Sequence, residues 1–166
     1  MSAISSQASV LRRWHALGRL PFGRWLFSKL MGWVVPYAAS IDARVQELAE
    51  GRARVLLRDR RAVRNHLKSI HAVALTNLAE LSANLALMTR ENAGGDSRWI
   101  VTGMETRYVK KARGPITAET LLPPVDWRGA QVLSGQVTLR DARNEVVMLA
   151  TQHWRTGPAR VAAPSA

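Results

Sequence analysis

Residues 71–88, HAVALTNLAELSANLALM, dictate the architecture of this chain. The run from His71 to Met88 holds no Gly or Pro, and Glu80 is its one residue with a full charge at neutral pH. Apolar residues fall on nearly every face of the helix it predicts, the pattern of a helix surrounded by protein. A carboxylate in such a place costs free energy unless it is paired or used. Asn77 lies three residues before Glu80 and Asn84 four after it, so the three share one helical stripe.

Elements of a different kind flank this helix. Upstream, Ala43, Val45, Ala53, Val55 and Leu57 alternate with polar residues around Glu50-Gly51, which predicts a hairpin, and a basic loop follows over residues 58–65. Downstream, residues 91–96 form a break. Trp99 to Val109 then predicts one long strand, and the Gly114-Pro115 turn leads into a shorter one over Ile116–Leu122. Ala130–Leu139 and Glu145–Trp154 predict a last hairpin around residues 141–144. Short turns between consecutive strands favour an antiparallel sheet, and a single apolar helix must be covered by it. The reading is an α+β fold in which an antiparallel sheet wraps one long central helix. Residues 1–40 form a basic helical extension, 41–156 the main domain, and 157–166 a disordered tail.

The extension holds four Arg and one Lys, and the first acid of the chain is Asp42. Pro21 and Gly23 split it into two short amphipathic helices. Its longest uncharged run, Leu30 to Ile41, is broken by Gly32 and Pro36 and is far shorter than the ~20 residues a bilayer span needs. The cations are spread through the apolar part, unlike those of a secretory signal; a cleaved mitochondrial-type leader shares the composition. Two readings stand side by side: helices that cap the domain with their apolar side, or helices over residues 9–35 that lie on an anionic membrane.

The whole chain has 166 residues, enough to bury a core as one domain. It lacks cysteine, which excludes disulfides, thiolate zinc sites and a cysteine nucleophile. The four His lack metalloprotease spacing, so no metal is expected. The net charge of +12 favours anionic partners such as nucleic acid, anionic lipid or a phosphorylated ligand. Nucleic acid ranks last, because no recognition motif is present and the six Trp are scattered.

A family resemblance adds to this. The run Asn65-His66-Leu67-Lys68-Ser69-Ile70-His71-Ala72-Val73, followed by Asn77-Leu78-Ala79-Glu80, resembles the helix-start signature of hotdog-fold acyl-CoA thioesterases of the phenylacetate (PaaI-like) type. Those proteins carry Asn, a short loop, His-Gly-Gly, and an acid in a Leu-Ala-Asp/Glu context. Glu80 stands nine residues after His71, which is the family spacing. The stretch from Tyr108 to Glu119 resembles the family's long strand, basic turn and following strand. The likeness is to an uncharacterised bacterial branch with a basic N-terminal helical extension. It implies a homodimer or a dimer of dimers, active sites at subunit interfaces, acyl-CoA as substrate, no cofactor beyond the coenzyme A of that substrate, and a cytoplasmic protein that contacts membranes at most peripherally.

Thioester hydrolysis needs a base or nucleophile, an oxyanion donor and a site for the CoA phosphates. Glu80 is the candidate base or nucleophile; it could equally be a structural acid paired with an Arg. Burial among Leu78, Ala79 and Leu81 disfavours the ionised form that water activation requires, so Asn77 or Asn84 is assigned the hydrogen bond that keeps it charged. The oxyanion donor is the backbone amide of Ala72 or Val73, where free amides and the helix dipole coincide. Here the family's His-Gly-Gly has become His71-Ala72-Val73, and Val73 adds bulk where a thioester would pass. Asn65 and His71 position the loop and helix start, and Ser69 is placed to cap the helix. Lys110, Lys111 and Arg113 form a basic cluster suited to CoA phosphates, or a solvated turn. A non-catalytic acyl or lipid binder on the same fold is the competing function.

Overall fold

The computed structural model describes residues 7–90 and 97–158. Two helices open it, α1 (Gln7–Gly18) and α2 (Gly23–Val34), separated near Pro21 as the sequence requires. A one-turn α3 (Pro36–Ala39) follows, which the sequence reading missed. Pro36, taken there as a break, occupies the first turn of this helix, where a missing N–H is tolerated. The hairpin forms as expected from β1 (Arg44–Ala49) and β2 (Arg52–Leu57). Its turn uses Gly51 at φ 70, a left-handed conformation that glycine adopts without a Cβ penalty.

The central helix is α4 (Ala72–Met88), and four strands follow: β3 (Ser97–Tyr108), β4 (Ile116–Leu121), β5 (Gln131–Arg140) and β6 (Val146–Pro158). The break expected over residues 91–96 lies outside the described residues. The strands form one sheet in the order β1-β2-β4-β5-β6-β3, with every neighbouring pair antiparallel. This is the hotdog arrangement, a sheet curled about one helix. One boundary is corrected. Gly157 and Pro158 belong to β6, opposite Arg98 and Ser97, so the strand outlasts the 156 boundary and only residues 159–166 of the expected tail lie outside the described residues. Small residues and a proline read as coil in isolation, but a proline is tolerated at a strand's end.

Burial explains why the helix sits where it does. Leu75, Leu78, Leu85 and Leu87 are buried, and each contributes about 1.5–3 kcal/mol by leaving water. Ala79, Ala83 and Ala86 between them let the helix approach β2, β4 and β5 closely. Ser82, also fully buried, is satisfied by the Thr120 hydroxyl at 2.8 Å. Beneath α4's C-terminal half, Trp154 is wholly buried. Gly135 makes room for it: a Cβ at 135 would stand 2.8 Å from the indole and 2.4 Å from Leu122. Helices α1 and α2 join the same core through Val10, Trp14 and Phe27, with the two rings edge to face at 5.1 Å.

One stripe of α4 escapes the sheet. Val73 is 53% exposed, and Thr76, Glu80, Asn84 and Met88 are half-buried, at spacings of three and four residues. A sheet curled about a single helix leaves such a stripe uncovered.

Candidate active site

The loop before α4 is built by Asn65. Its Oδ1 accepts from the Leu67 amide at 2.9 Å, the Ser69 amide at 3.2 Å and the Ser69 hydroxyl at 3.1 Å. The loop is then clamped on both sides. The Ile70 amide donates to the Ala112 carbonyl at 2.9 Å, and the His71 amide to the Val63 carbonyl at 2.8 Å. Asn65 therefore shapes the loop.

The helix cap differs from expectation. Ser69 is occupied with Asn65, and His71 is the N-cap: its Nδ1 accepts from the Val73 amide at 3.1 Å. The two amides considered as oxyanion donors therefore differ in their bonding. The Val73 amide is taken by the cap, and the Ala74 and Leu75 amides donate to the His71 carbonyl. No described residue accepts from the Ala72 amide, which stands at the positive end of the α4 dipole.

Glu80 lies on the uncovered stripe. No described residue hydrogen-bonds or ion-pairs with its carboxylate, so the arginine partner considered for it is absent among them. The two asparagines do not serve it either. The Asn77 amide donates to the Tyr37 carbonyl at 3.2 Å and the Ser40 hydroxyl at 3.4 Å. The Asn84 Oδ1 accepts from Gln152 at 2.8 Å and from the Trp154 indole at 3.0 Å. Each is turned toward a partner distant in the chain, which stripe geometry alone does not reveal. Sequence reasoning missed Thr76 and Tyr108. Their hydroxyls meet at 2.8 Å, and both reach the Ala72 carbonyl, tying the end of β3 to the helix start. The signal was Thr76's place one turn before Glu80.

The basic segment after β3 is reduced by one. Lys110 is ion-paired with Asp141 at 2.7 Å and with Glu145, which raises its pKa. Lys111 and Arg113 are exposed, with no carboxylate partner among the described residues. They flank buried Ala112, whose carbonyl holds Ile70, so both sit beside the α4 N-terminus. A groove of about 360 Å³ opens there between Tyr37, Val63, Arg64, His71, Val73 and Asn77.

Asp59 locks this corner. It pairs with Arg64 at 2.6 Å and accepts from the Gly114 amide at 2.8 Å. The Arg64 hydrogen bond, foremost, holds its carboxyl below the ordinary 3.8, with the Gly114 amide adding to this and burial opposing. A folded-state value below the unfolded one stabilises fully above 3.8, and that stability is lost as pH falls through the depressed value. We therefore expect Asp59→Asn to lower the thermal midpoint at neutral pH. The variant should also show a shallower decline than wild type when the pH is taken below 3.8. Parallel melting curves across that range check both.

Trp14, Trp127 and Trp154 are buried, which withdraws half of the tryptophans from any stacking surface for nucleic acid.

Residues 23–156 match the family model described as a domain of unknown function (DUF4442). A structural-genomics crystal structure, APC5556, is 31% identical, with a TM-score of 0.75 over 92% of this chain and 99% of that one. A Pseudomonas aeruginosa protein of unknown function, PA5026, described as "Probable Thioesterase", is 24% identical with a TM-score of 0.72, covering 84% of this chain and 97% of that one. A variant of the phenylacetic acid degradation protein PaaI of Thermus thermophilus is 19% identical with a TM-score of 0.61, covering 72% and 97%. No curated protein matches the sequence.

Proposed function

This chain belongs to the DUF4442 family, and on that footing we propose that it hydrolyses acyl-CoA thioesters at a site shared between two subunits. The observation that carries this reading is the unpartnered Ala72 amide at the head of a helix whose uncovered stripe also bears Glu80. Eight residues of helix separate them, about 12 Å. A reacting carbonyl must lie about 3 Å from both its base or nucleophile and its oxyanion donor. The two groups of one protomer are too far apart for that, even with Glu80 leaning toward the N-terminus. In a two-fold dimer, the Ala72 amide of one protomer can face the partner's Glu80. Two features support such a dimer: the uncovered stripe of α4, and the twelve-residue edge strand β3, whose outer side has no neighbour in the sheet.

The chemistry is a water attack. The thioester oxygen accepts from the Ala72 amide, and the partner's Glu80 takes a proton from water as its oxygen bonds to the carbonyl carbon. The C–S bond then breaks, and the proton passes from Glu80 to the departing CoA thiolate. Lys111 and Arg113 bind the CoA phosphates beside the helix start. Such a substrate is consistent with a cytoplasmic protein.

Turnover of short, long and aryl acyl-CoAs by the full chain tests the reading. The Lys111→Ala/Arg113→Ala double variant should raise KM for acyl-CoA about tenfold at low salt. It should leave thioesters of N-acetylcysteamine, which lack phosphates, unaffected. Equal effects on both substrate types would remove the two cations from the site.

A second reading rests on Val73, exposed at the helix start in place of the second glycine of the His-Gly-Gly pattern that this stretch resembles. On this reading the protein holds acyl-CoA without hydrolysing it. Binding without turnover across the panel would favour it.

A further inference from the structure

We propose that the outward face of α2, with the turn that precedes it, docks onto an anionic lipid bilayer. The surface is separate from the groove at α4 and does not depend on that groove being catalytic.

Helix α2 buries Phe27 and packs Met31 against the core. On its other side it presents Trp25, Leu26, Leu30 and Trp33, and Phe22 extends this face into the turn. Positions 22, 26, 30 and 33 recur at helical spacing, so they form one stripe. Trp33 is 82% exposed and Phe22 84%. A contiguous apolar face of this kind marks a contact surface.

Phe22 adds an independent observation. Its φ is 63, in the left-handed region where a bulky residue is strained and glycine is at ease. No packing offsets that strain, because the ring stands in solvent. A wedge that enters a lipid surface needs an aromatic held outward in this way.

Charge selects the occupant. Residues 1–41 carry four Arg, one Lys and no acid. Lys29, 6.0 Å from the Trp25 centroid, is already paired with Asp42 at 2.7 Å, whereas Arg13, Arg19 and Arg24, the last over the Trp14 ring at 5.6 Å, are exposed with no carboxylate partner among the described residues. A second copy meeting this face across a two-fold axis would bring like charges together. An anionic bilayer satisfies both halves of the surface, since its acyl boundary takes the aromatic and aliphatic side chains and its phosphates take the cations. No described helix is long and apolar enough to cross a membrane, so α2 lies in the plane of the interface.

Sedimentation of the full chain with vesicles tests this. One set is phosphatidylcholine alone, and the other contains about one-third phosphatidylglycerol. The chain should pellet with the anionic set, and salt raised to about 0.5 M should weaken that binding. Trp33→Ser and Phe22→Gly should each weaken it by about five- to tenfold. Phe22→Gly should keep or raise the thermal midpoint, because glycine suits φ 63, which separates lost docking from lost folding. Absence of pelleting, or pelleting unchanged in both variants, would overturn the proposal. So would lipid-free self-association that disappears in Trp33→Ser, which would assign the face to a second copy.

Discussion

Glu80→Gln is expected to lower kcat on the best acyl-CoA by about a thousandfold and to leave KM within a few-fold of wild type. Glutamine keeps the shape of the side chain and removes its capacity to take a proton. Since no described residue pairs with the Glu80 carboxylate, the exchange breaks no hydrogen bond or ion pair among the described residues, and the thermal midpoint should hold. A companion variant isolates the other half of the site. Ala72→Pro deletes one N–H at the first helical position, where proline is well tolerated. His71 before it, at φ −65 and ψ 139, already has the extended backbone that a following proline demands. Each variant alone should be nearly inactive. Mixed dimers of the two should regain activity, because one site then combines an intact amide from one chain with an intact carboxylate from the other. Mixed dimers as inactive as their parents would show that the two groups never meet across an interface. Full activity of Glu80→Gln would leave the acid a bystander.

Trp154→Ala should destabilise the fold by about 3–5 kcal/mol, the range for emptying a fully buried aromatic site. For a domain of this size that lowers the thermal midpoint by about 10 °C or more. The side chain is wholly enclosed, and its indole N–H also donates to Asn84 on α4. Truncation thus opens a cavity and loosens the link that fixes the C-terminal half of the helix to β6. Trp154→Phe, which keeps most of the volume and loses the hydrogen bond, should cost less than half as much. Urea titrations of both variants give the two numbers. A loss below 1 kcal/mol in Trp154→Ala would mean that the core closes over the gap.

The architecture was legible where the signal is local. The unbroken apolar run of α4, the Glu50-Gly51 turn, Gly114-Pro115 and the residue 141–144 turn each state their element within a few residues, because periodicity and turn chemistry act at short range. Two elements were misjudged for the same reason: α3 hides behind Pro36, and the end of β6 hides behind Gly157-Pro158, which pair only because Arg98 and Ser97 lie alongside. Around the helix start, the sequence conveyed which residues lie near one another more than how they are bonded. Asn65, His71, Ala72, Lys111 and Arg113 do converge on the helix start. Asn77 and Asn84 do not serve Glu80, because Asn77 is bonded to residues 37 and 40 positions away and Asn84 to residues 68 and 70 positions away. Hydrophobic pattern says which side chains leave water; it does not say which acceptor a buried amide will find.

The contact between Gly135 and Trp154 constrains the order in which this chain can change. While the indole is in place, a methyl group at position 135 collides with it and with Leu122. Once residue 154 has become smaller, the collision with the indole is gone, and the end of the Leu122 side chain can swing into the vacated space to admit the same methyl group. Gly135→Ala is therefore harmful as a first step and corrective as a second, so the sign of one substitution's effect is set by another. Two lineages that cross this pair in opposite orders face different intermediates, one overfilled and one hollow.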